Sequence, residues 1–449
     1  MDGTDLRTRD DTRPAAACRL KPLALLLLAL FVSPAHAAEE APAEPAPLEP
    51  GVVPRTRPEG VPTLQMSTDY AHPALGFGTY APISQVDARG IRVEPFTVIA
   101  GIQAGVGYDD NVALSSANKV GSLFTTVSPS VAIGLDNPLH RYYLIYRGTY
   151  GAYSSSAQDD YTDHNIALSA TDSWTTRFRT SARYEYTRGH TPRGITVSSG
   201  GTSERWTQHT LDGTASYGAP GAQGMVEGDV GYTKRRYTTA GVAAAGEFDR
   251  YDVGSTFYYR VAPKTRALFR AGWAQLDHPL DPSLDNTEVQ FSVGATWEAL
   301  AKTTGRVGVG VVTKDFSSPT RRDFTGGSFD VGVTWTPQVQ TSFDATGRRF
   351  LSETFEVGTS FLVNTVVSAT WNQLWTRGIR STVNSTYGNV EHQGAGRTDN
   401  YLSVGGRVSY PLTRSIRLGA ELRHDSRSSD VGTADYSRNL FLLTAETAL

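Results

Sequence analysis

Tyr251 to Trp273 reads YDVGSTFYYRVAPKTRALFRAGW. Tyr251, Val253, Phe257, Tyr259 and Val261 share one face of an extended chain, because successive strand side chains point to opposite sides. A tight break at Ala262-Pro263-Lys264-Thr265 follows, and then Ala267, Phe269, Ala271 and Trp273 share a face in turn. A period of two over about ten residues is a strand with one apolar face. The next break, Leu276 to Asn286, is longer and polar. Tight turns alternating with long loops are the rhythm of an all-β, antiparallel, up-and-down transmembrane β-barrel.

The same unit recurs from Phe96 to Leu449. The first strand presents Phe96, Val98, Ala100, Ile102, Ala104, Val106 and Tyr108, and the last presents Asn439, Phe441, Leu443, Ala445 and Leu449. A weak strand surrounds Phe343 and Ala345, and Phe355, Val357, Phe361 and Val363 begin the one after it. The count is about eighteen, with sixteen the alternative, since single-chain bacterial barrels carry an even number. The longest loop is read as Thr187 to Arg205. Several short turns share a Thr beside a basic residue, as in Lys264-Thr265-Arg266, Thr376-Arg377 and Thr413-Arg414, which fits a repeated hairpin. Trp174, Trp297, Trp335, Trp371 and Trp375 gather beside those turns, where indoles sit at lipid headgroups.

Residues 1–37 read as a secretory signal: Arg13, Arg19 and Lys21 precede the apolar run Leu23 to Val32, and Ala35-His36-Ala37 supplies the cleavage site. That run is too short to span a bilayer as a helix. The expected location is therefore the Gram-negative outer membrane, after Sec-type export. The only cysteine, Cys18, would leave with the signal, so disulfide, thiolate-metal and thiol chemistry are not expected. Residues 38–95 read as a periplasmic linker or extension, rich in Ala, Glu and Pro as far as residue 60, and residues 96–449 as the barrel. The net charge of −3 gives no reason to invoke nucleic acid. The expected partners are outer-membrane lipid and the barrel-assembly machinery that reads the final amphipathic strand, together with polysaccharide or small solutes.

A charge facing lipid at mid-depth costs roughly 2–4 kcal/mol. Arg177, Arg179, Arg183 and Glu185, and likewise Arg417, Glu421 and Arg423, alternate with apolar residues and so are placed facing the lumen. Two readings stand side by side: a lining that selects solutes, anions among them, or opposite charges that pair and fill the interior. For catalysis the candidates are Asp163-His164, His190 and His424-Asp425, but no local motif sets a nucleophile beside them, and neither an enzyme nor a cofactor is expected. Asp109-Asp110-Asn111 lacks the glycine and downstream glutamate of a calcium loop, and no metal site is expected.

Gly105-Val106-Gly107-Tyr108-Asp109-Asp110-Asn111-Val112, followed by Thr125, Val127, Ser128 and Pro129, resembles the beta-barrel porin type 2 family of outer-membrane proteins. Asp159-Asp160-Tyr161 is similar to that family as well. The resemblance implies a barrel throughout and a link to exopolysaccharide export. It carries no functional residues with it. The reading is thus a channel or accessory barrel, with a surface adhesion barrel of closed lumen as the alternative and a barrel hydrolase behind both.

Overall fold

A computed structural model of the chain describes residues 90–195, 203–239, 246–300, 302–354, 356 and 358–449. The readings made for residues 1–37 and 38–89, and for Phe355 and Val357, lie outside these. The described residues form one 19-stranded antiparallel sheet. In chain order the strands are β1 (Ile91–Val93), β2 (Phe96–Asp109), β3 (Ser122–Asp136), β4 (His140–Tyr153), β5 (Tyr161–Ser173), β6 (Phe178–Thr191) and β7 (Glu204–Tyr217). Then come β8 (Gly224–Tyr237), β9 (Phe248–Ala262), β10 (Thr265–Asp277), β11 (Asn286–Leu300), β12 (Thr303–Phe316) and β13 (Phe324–Gln338). The series ends with β14 (Thr341–Ser352), β15 (Phe361–Leu374), β16 (Arg380–Gln393), β17 (Arg397–Pro411), β18 (Ile416–Ser429) and β19 (Tyr436–Ala448).

Each strand pairs with its neighbours in sequence, and β19 closes on β2 from Leu440↔Asp109 to Ala448↔Gly101. The result is an 18-stranded barrel plus one extra strand. That strand, β1, has a physical role. Where β19 ends, the edge of β2 would be left unpaired, and β1 covers it through Ile91↔Val98 and Val93↔Phe96. The sheet thus begins within the segment read from sequence as extension.

Phe269 and Phe291 are exposed on the outer face while Leu268, Arg270 and Ser292 are buried inside, as the period of two requires. Trp174, Trp335 and Trp375 are exposed at the tight-turn end. The eighteen barrel strands run 12 to 15 residues rather than about ten. At ordinary rise and tilt, fourteen residues climb roughly 35 Å, beyond a band of about 25 Å. The surplus lies at the long-loop end, where the outer row turns polar. There β6 and β10 run on to Thr191 and Asp277, so the loops after them are shorter than the sequence breaks. The strand following β14 starts at Phe361.

Candidate functional site

At the long-loop end of the barrel, described loop residues fold inward and bond to the wall. In the β6–β7 connection Arg193 donates from Nε to Asp159 Oδ1 at 2.7 Å and from Nη2 to Ser156 at 3.2 Å, tying it to the β4–β5 loop. On the far wall Arg427 of β18 donates from Nη1 to the Ile195 carbonyl at 2.6 Å and from Nη2 to that of Gly194 at 2.9 Å. The loop therefore reaches across the interior. Gly194 has φ +76°, and an added Cβ would lie 2.3 Å from the Ala113 carbonyl, so only glycine allows the approach. Leu114 and Ile195 from two loops pack there with Leu362, Val390, Tyr401 and Tyr436 of the wall in one buried apolar cluster. The Arg427 guanidinium lies 5.0 Å from the Tyr436 ring and 5.9 Å from that of Tyr401.

The β14–β15 loop is held by charge. Glu353 accepts from Lys314 Nζ at 2.7 Å, and Lys314 reaches Glu288 at 2.9 Å, which pairs with Arg250 at 2.8 Å. His278 Nε2 stands 3.3 Å from Glu353. The Lys314 side chain is wholly buried. Burial alone would raise the Glu353 carboxyl; the Lys314 ammonium and the His278 ring outweigh it and hold the group down at about 2. Three residues on, Glu356 pairs with Arg397 at 2.9 Å and with His392 at 3.0 Å. Charges removed from water survive only when paired in this way.

The acidic motif of the first strand also belongs to this end. Asn111 is fully buried, takes the Asp109 carboxylate on its backbone N–H at 2.9 Å and donates from Nδ2 to the carbonyls of Ser115 and Ser437. Asp110 accepts from Asn439 N and Nδ2, both at 2.7 Å. Asp109 faces Arg438 at 3.6 Å. These residues fasten the first loop to the last strand at the closing seam, which uses their donors and carboxylates for structure. Asp159, from the second motif, anchors Arg193.

The match to the family described as "Putative beta-barrel porin 2" spans residues 84–448. The chain belongs to that family. It is an outer-membrane, porin-like β-barrel. The comparison with curated proteins gives no match. Among solved structures the chain is similar to OccK1 (OpdK) of Pseudomonas aeruginosa, at 11% identity and TM-score 0.45, covering 78% of this chain and 99% of that one. It is also similar to OccK2 (OpdF) of the same organism, solved with glucuronate, at 9% identity and TM-score 0.44, covering 80% and 99%. OccAB4 of Acinetobacter baumannii stands at 11% identity and TM-score 0.42, covering 78% and 98%.

The structure separates the charged residues expected along the lumen. Arg177 lies in the turn before β6, not on the strand, which starts at Phe178. Arg183 and Glu185 lie on the inner face of β6, pair at 2.6 Å and keep side-chain exposures of 48% and 27%. Arg179 donates to the Met225 sulfur at 3.6 Å near the tight-turn end. Glu421 faces Arg407 at 3.9 Å. Arg417 and Arg423 are buried: Arg417 donates to Gly378 O and Ser409, and Arg423 to Asp425 at 2.7 Å. Face alone did not distinguish an open lining from a filled wall. The sequence reading missed Arg306 and Arg348, which converge on Asp330 with side-chain exposures of 31% and 35%. The step from Arg306 to the outward Val307, and the register of Arg348 against the outward Phe343 and Ala345, could have found them.

The histidine candidates also resolve. His164 bonds Tyr146 and His424 bonds Asn439, both on the outer face. Asp425, next to His424, points inward to Arg438 at 2.5 Å. Adjacent strand residues face opposite ways, so neither sequence pair is a spatial pair. His190 does meet Asp163, at 2.9 Å, and stacks on Tyr161 at 4.2 Å. Among the described residues its hydrogen bonds go to that carboxylate, with no hydroxyl bonded to the ring.

Proposed function

We propose that this barrel is a constricted channel for small anionic solutes, serving polysaccharide export in an accessory role and carrying out no catalysis. The observation that supports the reading is the unequal exposure of the inner-face charges. Arg183, Arg306 and Arg348 keep a third to a half of their side chains accessible. Two guanidinium groups share the Asp330 carboxylate, and Asp344, two rungs along the same inner face, accepts only from Thr334, Ser342 and Asn372 among the described residues, so the accessible guanidinium edges rather than a net charge carry the reading. A partly desolvated guanidinium binds carboxylates with fixed geometry, and its exposed edge lets them exchange with water. Arg179, Arg183, Glu185 and Glu421 are assigned to the lining; Arg417 and Arg423 are assigned to wall packing. The polysaccharide link comes from the family resemblance alone.

Conductance and ion selectivity of the refolded barrel in planar bilayers test the channel. Anion preference is expected, and Arg183→Gln with Arg348→Gln should lower it severalfold without loss of the folded band. The closed structural or adhesion barrel is the second reading, favoured by the apolar cluster that packs two loops on the inner wall of β15–β19; a barrel that never conducts would establish it. Loss of secreted polysaccharide on deleting the chain in its host, restored by the wild type and not by the arginine variants, is expected if solute passage serves export.

A further inference from the structure

The outer face carries a charge asymmetry that neither the lumen nor the constriction explains. Below it, Phe178, Tyr184, Leu211, Tyr217, Val226 and Val230 form the apolar outer rows of β6, β7 and β8. Ten residues along β7, from Tyr217 to Thr207, rise roughly 25 Å at ordinary rise and tilt, the height of the apolar band. At that height the outer row changes character. His164 lies opposite Arg188, Arg188 opposite Thr207, and Thr207 opposite Arg236. One step lower, Tyr186 lies opposite His209 and His209 opposite Lys234, while Arg205 stands one step above. Four strands thus bring two imidazoles, three guanidinium groups and one ammonium onto one patch.

Acidic compensation on this patch is small. Asp249, opposite Lys234, is engaged by Arg236 and by the Tyr232 hydroxyl, and Glu247 lies 3.6 Å from Arg236. Arg188 and Arg205 are exposed, and neither they nor Lys234 has a carboxylate within ion-pair distance among the described residues. The opposite side of the barrel differs at the same height: Arg349 is matched by Glu391 at 3.2 Å, and Asn389, Asn400 and Asn439 are neutral. Beneath the patch, aromatics brace the imidazoles, with Tyr184 Oη 2.9 Å from His209 Nδ1 and Tyr146 Oη 3.1 Å from His164 Nδ1.

We infer that Arg188, Arg205 and Lys234, beside the ion-paired Arg236, form a docking surface for a phosphorylated lipid of the outer leaflet, whose acyl chains lie on the tyrosine-lined wall of β6–β8. Unmatched cations at an apolar boundary are costly when facing hydrocarbon and favourable when facing phosphate. The aromatic row below is the surface on which lipid chains and headgroup sugars rest. The inference rests on the orientation that sets long loops outside, and not on conduction.

The test is native mass spectrometry of the full chain in detergent, titrated with diphosphoryl lipid A, with the same lipid dephosphorylated, and with phosphatidylglycerol. The wild-type protein should retain diphosphoryl lipid A, and the dephosphorylated form should be lost. Arg188→Gln, Arg205→Gln and Lys234→Gln together should weaken retention by roughly tenfold or more, given the worth of each cation near anionic lipid. Arg414→Gln, an exposed cation at the opposite end, should leave it unchanged. Bilayer conductance of the triple variant should equal wild type, which separates this surface from the channel. Equal retention by the triple variant, equal binding of the dephosphorylated lipid, or preference for phosphatidylglycerol would each overturn the proposal.

Discussion

A lipid-facing side chain and a lumen-facing one obey different physics, and single substitutions can distinguish them. Phe269 is 53% exposed on the outer face, whereas Thr346 is exposed on the inner face between Gly332 and Ser368. Phe269→Arg should impair assembly by about 2–4 kcal/mol, while Thr346→Arg should be tolerated. Heat-modifiable gel mobility reads the outcome, and equal damage from both would mean the facing is wrong. Ser292 is the less suitable inner probe, since it is already buried. Glu353 supplies a second residue-scale expectation. Its depressed carboxyl contributes to the loop arrangement fully above the unfolded value of about 4.3. That contribution is lost only as pH falls toward about 2. The mouth should therefore behave at pH 5 as at pH 7, and Glu353→Gln should show at pH 7 the conductance the wild type reaches only in strong acid. A wild-type transition at or above pH 4.3 would contradict the role given to the Glu353 carboxylate.

Strands were legible because the bilayer imposes alternation on every crossing, including the weak β14 around Phe343. The loops were not. Arg427 is 232 residues from the Ile195 carbonyl it holds, and Lys314 is 39 from Glu353, so no local period records either contact. The same limit applied to Arg417 and Arg423: alternation gave their face but not their burial. Asp109, Asp110 and Asn111 were noticed as a motif, yet their work at the seam depends on Arg438, Ser437 and Asn439 at the other end of the chain. Each charge-assisted hydrogen bond from Arg427 is worth about 1.5–3 kcal/mol. Arg427→Leu should release the 192–195 segment while β18 stays paired. Faster amide exchange confined to that segment, with a larger conductance step, is the expected outcome. Unchanged exchange would show that the Arg193–Asp159 pair holds the loop alone.

At the scale of the whole molecule the two rims differ in kind. One carries tight turns such as those at residues 263–264 and 339–340, with exposed tryptophans beside them, and receives both the β1–β2 edge and the final strand. The other carries the folded-in loops, the buried charge networks and the polar ends of the longer strands. A periplasmic rim needs only short hairpins, and long loops remain hydrated outside. On that orientation both ends of the described barrel are expected on the periplasmic side, as an even number of strands demands. The orientation can be read directly, since Cys18 is the only native cysteine and lies far from the barrel in sequence. Arg322→Cys, exposed in the loop at residues 317–323, should react with an impermeant maleimide on intact cells. Lys264→Cys, in the tight turn between β9 and β10, should react only after the outer membrane is permeabilised. The reverse pattern would invert the barrel and move the basic patch to the inner leaflet. Labelling of both sites on intact cells would count against a spanning barrel, because no 18-stranded closed sheet in a bilayer presents both rims to one side.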